Sequence, residues 1–144
     1  MAEVMAAYNL ALLTDLFGDV PWTEALDYQS TFTPKLDKQE AIYGDIMAYL
    51  DAAIVDLQGE DNHPSGSAGT YDLLYNGDAE KWLKFAHGLK ARYLMHLINR
   101  SSNVNADLQE IINEVDASFE SPEEQAAFSI YNDTQLSPTF DFQY

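Results

Sequence analysis

Apolar side chains return every three or four residues along most of this chain, and no segment alternates apolar with polar residues as a half-buried strand would. That periodicity points to an all-α fold, because a helix lays positions so spaced along one side. Val4, Tyr8, Ala11, Leu12 and Leu16 mark a first helix over Ala2–Phe17, with Met5 and Leu13 widening the stripe. Gly18 is placed to end it in a left-handed cap, and Pro21 prevents continuation. A second helix is expected to open at Asp37, where Glu40 three residues on comes close to a capping box. Ile42, Ile46, Tyr49, Leu50, Ala53, Ile54 and Leu57 carry its stripe. Asp78 caps a third helix from Ala79 to about Arg100, with Trp82, Ala86, Leu89, Tyr93 and Leu97 on one side. A fourth follows from near Asn105 through Leu108, Ile111, Ile112, Val115 and Phe119. Ser121-Pro122-Glu123-Glu124 then signals a short fifth helix.

Four main helices and a short fifth argue for a single helical domain over residues 1–144, each helix burying its stripe on the next. The helix starts, near residues 2, 37, 79 and 105, are too uneven for a regular repeat of about 34 residues. They fit degenerate tetratricopeptide-like helix pairs with insertions. Residues Asp19–Lys35 carry so many aromatics that a packed connection is expected. Residues 58–70, rich in Gly, Ser and Pro, read as a mobile surface loop, and 132–144 as irregular.

The charge balance removes whole classes of partner. Twenty-four acidic residues against seven basic ones give a net charge of −17, which repels a phosphate backbone, so nucleic acid is not expected. Five of the seven basic residues fall between Lys81 and Arg100. The helix there is either held by acidic neighbours or simply a solvated face. There is no cysteine, and His63, His87 and His96 make no metal-binding spacing. Gly66–Gly69 are followed by no Lys-Ser/Thr, and no nucleophile elbow is present. Glu110 and Glu114 stand one turn apart and read as a solvated helix face rather than an acid–base pair. No catalytic residue, metal or cofactor is expected.

The aromatics in the connections carry the only candidate binding chemistry. Sugar rings present apolar C–H faces that stack on exposed aromatic rings, while carboxylates and amides bond their hydroxyls. Trp22, Tyr28, Tyr71 and Tyr75 all lie in expected connections, with Asp27, Asp72 and Asn76 beside them. Each could instead tuck into the core from its loop.

Two segments carry a resemblance. The first ends a helix on Leu12-Leu-Thr-Asp-Leu-Phe-Gly-Asp-Val-Pro-Trp22, followed by Pro34-Lys35, Ile42-Tyr43 and Leu50-Asp-Ala-Ala53. The second is Asp72-Leu-Leu-Tyr-Asn-Gly-Asp78 running into Lys81-Trp-Leu-Lys-Phe-Ala-His-Gly-Leu-Lys-Ala-Arg-Tyr-Leu94. In that order, over about residues 2–119, they resemble the SusD/RagB family, especially its SusD-like branch. The resemblance implies a tetratricopeptide-like scaffold in a non-catalytic lipoprotein on the extracellular face of the outer membrane. Such a protein captures glycans or other small nutrients for a SusC-like TonB-dependent transporter. Members are several times longer and begin with a signal peptide and a lipid-modified Cys, so an internal fragment is expected. The family's sugar-binding residues lie largely outside this region, and none transfers to a numbered position. The competing expectation is a stand-alone helical module for protein–protein interaction.

Overall fold

Each of the four long stripes becomes a helix. The computed structural model describes residues 1–27, 29, 31–60 and 68–128. It places α1 at Ala2–Phe17, α2 at Gln39–Leu57, α3 at Ala79–Leu97 and α4 at Val104–Asp116. Among the described residues there is no strand, only an isolated antiparallel bridge between Val20 and Asp37. Tyr28, most of the 58–70 loop and the 132–144 tail lie outside the described residues.

The helices form an array in which each packs on the next and alternate in direction. The end of α1 meets the start of α2, where Gln39 bonds the Thr14 carbonyl and Tyr43 bonds Asp15. The end of α3 returns to the start of α2 through Tyr43 and His96, while Lys90 reaches Asp51. Val4, Ala7 and Leu10 from α1, Ile42, Ile46 and Leu50 from α2, and Trp82, Ala86 and Leu89 from α3 form one core. In α4 only Ile111 is buried. This is the degenerate tetratricopeptide-like, all-α architecture.

Four local expectations need correction. The buried side of α1 runs through Val4, Ala7, Leu10, Ala11 and Thr14, and Leu12 and Leu16 point outward, 47% and 68% exposed. The reason is that α1 is apolar on both sides, so spacing alone does not choose a face. The second correction concerns α2, which begins at Gln39 with no capping box. Its first amide is met from across the preceding connection by Asp19, whose carboxylate accepts from Gln39 N at 3.0 Å and Lys38 Nζ at 2.6 Å. Asp37 is committed elsewhere: its carboxylate accepts from Trp22 N (2.9 Å), Thr23 N (2.8 Å) and the Thr23 hydroxyl (2.9 Å). The Thr23 and Trp22 amides outweigh desolvation and hold the Asp37 carboxyl below its ordinary range. The expected fifth helix is a single 3₁₀ turn, Pro122–Glu124, and the Ser121 side chain makes no capping bond. Gln125 leaves that turn in an extended conformation, which stops propagation.

The fourth correction is at Gly18. Its φ of 74° is positive as expected, but its ψ of −123° is the mirror image of extended backbone rather than a left-handed helical cap. Buried Thr14 sets this geometry from one turn back: its carbonyl accepts the Gly18 N–H at 2.8 Å and its hydroxyl donates to the Gly18 carbonyl at 2.7 Å. There is open space where a side chain would stand, so the penalty for replacing Gly18 is conformational. Gly18→Val should lower stability by about 1–3 kcal/mol, the usual cost of holding a non-glycine residue in a Gly-only region. Thermal unfolding of the variant checks this, and an unchanged midpoint would reject the backbone assignment.

The basic segment is held in part by carboxylates, at Lys84 and Lys90 among its five basic residues. Lys84 Nζ meets Glu124 at 2.6 Å, and Lys90 Nζ meets Asp51 at 2.7 Å and Glu114 at 2.9 Å. His87 Nδ1 stands 2.6 Å from the other oxygen of Glu114. Glu114 is therefore no solvated face: its side chain is 13% exposed and ties α4 to α3.

Candidate functional site

Where α1 ends, α2 begins and α3 ends, the three helix termini leave a groove of about 500 Å³. Asp15, Gln39, Glu40, Tyr43, His96, Leu97 and Arg100 line it, the last from a 3₁₀ turn at Ile98–Arg100. The Tyr43 ring is buried and sits edge-on to Tyr93 at 6.4 Å. Its hydroxyl donates to Asp15 Oδ1 at 2.5 Å and lies 2.9 Å from His96 Nδ1. Burial, and then the Asp15 carboxylate, push the Tyr43 hydroxyl above its ordinary pKa, so it remains a proton donor. With its one proton committed to Asp15, the Tyr43 oxygen must accept from His96, which fixes the imidazole proton on Nδ1. Nδ1 also lies 3.3 Å from Asp15 Oδ2, and in the neutral imidazole this arrangement leaves Nε2 as a hydrogen-bond acceptor. Glu40 and Arg100 are exposed and have no ion pair among the described residues. No sequence spacing signals this groove, because its residues come from three separate segments, with Tyr43 28 positions from Asp15 and 53 from His96.

The candidate aromatics end in different surroundings. Trp22 is half-buried, its indole N–H donates to Asp45 at 2.9 Å, and its ring meets Tyr49 edge-on at 6.1 Å. Tyr75 is 7% exposed, packed edge-on against Trp82 at 5.6 Å, with its hydroxyl bonded to the Glu124 carbonyl at 3.0 Å. Burial pushes that hydroxyl up to about 12. Both rings thus serve the packing of the array. Tyr71 differs: it closes a 3₁₀ turn at Gly69–Tyr71 and is 93% exposed. Its ring face is open to stacking. Tyr28 lies outside the described residues. Phe32, at 90% exposed, is a second open aromatic that the sequence reading did not single out.

The second quoted segment is a self-contained scaffold. Asp72 gathers the amides of Leu74, Tyr75 and Gly77 and the indole N–H of Trp82, at 3.0, 3.3, 2.9 and 2.6 Å. Burial raises its pKa, but those bonds, Trp82 first, outweigh burial and keep the carboxyl below its ordinary range. Asn76 and Gly77 take positive φ, 53° and 82°, and Asp78 caps α3 by accepting from Glu80 N and Lys81 N. Tyr71 directly precedes this hydrogen-bonded segment.

The chain matches, over residues 1–142, a SusD-like family described as starch-binding and associating with the outer membrane. A solved SusD/RagB family protein from Bacteroides thetaiotaomicron VPI-5482 is 52% identical, with a TM-score of 0.85 over 98% of this chain and 28% of its own. A structure named as a chitin-binding protein is 32% identical, with a TM-score of 0.63 over 87% of this chain and 26% of its own. A SusD homologue from Bacteroides uniformis ATCC 8492, 22% identical with a TM-score of 0.69, covers 96% of this chain and 28% of its own and shares the fold. The chain thus spans between 26% and 28% of the length of these solved relatives. No curated protein matches it.

Proposed function

This chain belongs to the SusD-like family, and on that premise we propose that it is the helical scaffold of a non-catalytic glycan-binding component of an outer-membrane nutrient-uptake system. The observation that carries the reading is the family match over residues 1–142. The relative named as chitin-binding points to the same ligand class. In this reading the protein stands on the extracellular face of the outer membrane and hands its ligand to a SusC-like TonB-dependent transporter. No chemical step is assigned to it. Asp72, Glu114 and Lys90 hold helices and connections together.

Within these residues Tyr71 is the contact we assign to glycan, since its ring is exposed at the end of a 3₁₀ turn that leads directly into the hydrogen-bonded Asp72 connection. Trp22 and Tyr75 shape the frame, and the Tyr28 assignment stands on sequence alone. The test uses the polypeptide carrying these residues as its native cell makes it, titrated calorimetrically with malto- and chito-oligosaccharides. One glycan class should bind and be recovered unchanged, and the polypeptide should co-purify with a TonB-dependent transporter. Tyr71→Ala should weaken binding about three- to tenfold, the worth of one aromatic contact. Hydrolysis of the glycan, or retention of none, would overturn the reading.

A further inference from the structure

We infer that the groove between the ends of α1, α2 and α3 is a binding site of its own, taking a single neutral sugar unit by hydrogen bonds rather than by stacking. The inference rests on the glycan-binding reading and adds a place and a mode of recognition. A volume of about 500 Å³ is ample for one small ligand. The Tyr43 ring is only 5% exposed, so the His96 imidazole is the one ring open among the groove's lining side chains. A stacked glycan chain is therefore not what it is built for. It offers instead both donors and acceptors of hydrogen bonds. His96 Nε2 accepts in the neutral imidazole, since Asp15 and Tyr43 both face Nδ1 and hold its proton there. Glu40 accepts and Arg100 donates, neither of them engaged in an ion pair among the described residues.

That pattern selects by charge as well. An anion entering it meets Asp15 and Glu40 on a protein of net charge −17, which disfavours anionic ligands. A neutral polyhydroxylated molecule, the ligand class of the glycan-binding reading, escapes that penalty, and each hydroxyl both donates and accepts. The Asp15–Tyr43–His96 chain gives the site its rigidity. It links α1, α2 and α3 by hydrogen bonds of 2.5 and 2.9 Å, so the acceptor is positioned before ligand arrives.

The test follows the His96 imidazole nitrogens by NMR in the native full-length polypeptide while neutral monosaccharides are added, glucose and N-acetylglucosamine being the probes. The Nε2 resonance should move on titration, with Nδ1 keeping its proton. Glu40→Gln with Arg100→Ala, both at exposed positions, should leave unfolding unchanged and weaken the monosaccharide response about tenfold or more, as expected for losing hydrogen bonds to charged groups. A still His96 in a polypeptide that binds oligosaccharides would overturn the groove and leave glycan capture standing. Failure of every glycan to bind would overturn both.

Discussion

Trp82→Ala should lower the unfolding free energy by about 3–5 kcal/mol, the range for deleting a large buried aromatic ring. The ring is 4% exposed and touches two others, Tyr75 at 5.6 Å and Phe85 at 5.9 Å. It is also the place where the 72–78 connection is fastened to α3, through the 2.6 Å bond from its indole N–H to Asp72. Alanine removes packing and fastening together. Trp82→Phe separates them: it keeps most of the ring and should cost about 1–2 kcal/mol for the lost bond to a carboxylate. Urea unfolding followed by helical circular dichroism measures both, and Trp22 remains as a fluorophore on the other connection. A Phe variant as damaged as the Ala variant would show that the Asp72 bond, not the ring, holds the connection.

The second large effect is expected at Glu114. Its two oxygens serve two partners on α3, His87 at 2.6 Å and Lys90 at 2.9 Å, with side chains only 13–15% exposed. Removing a carboxylate from such a place leaves a partly buried ammonium with Asp51 alone, and the desolvation already incurred is no longer offset. Glu114→Ala should cost about 2 kcal/mol, on the scale of hydrogen bonds to charged groups. The loss should be local. Since α4 buries only Ile111, it depends on this bond more than the other helices depend on theirs. Amide hydrogen exchange should therefore quicken across α4 while α1 and α2 keep their protection. Uniform acceleration through all four helices would mean that the array unfolds only as one unit.

How much of this was legible follows from the distance between partners. Helix existence was local, and α1, α3 and the Asp78 cap could be read directly. The face of α1 could not, because Leu12 and Leu16 satisfy the helical period as well as Val4, Ala7 and Leu10 do. Only contact with α2 decides between them. The cap of α2 was missed for the same reason: Asp37 has the right local spacing, yet Asp19 does the capping from 20 positions away. Glu114 read as solvated because its partners lie on another helix. Tyr71 and Tyr75 sit four residues apart in one connection, and nothing local tells which faces Trp82 and which faces water. The groove needed three elements to close before it existed.

The outer side of α1 has a bearing on how proteins of this kind grow. Leu13, Leu16 and Phe17 stand 49%, 68% and 71% exposed there, a side that is apolar where a terminal repeat is polar. A polar outer side ends an array, because another helix gains nothing by lying on it. An apolar one is open-ended: an added helix needs only a stripe of its own, and nothing beneath it has to be rebuilt.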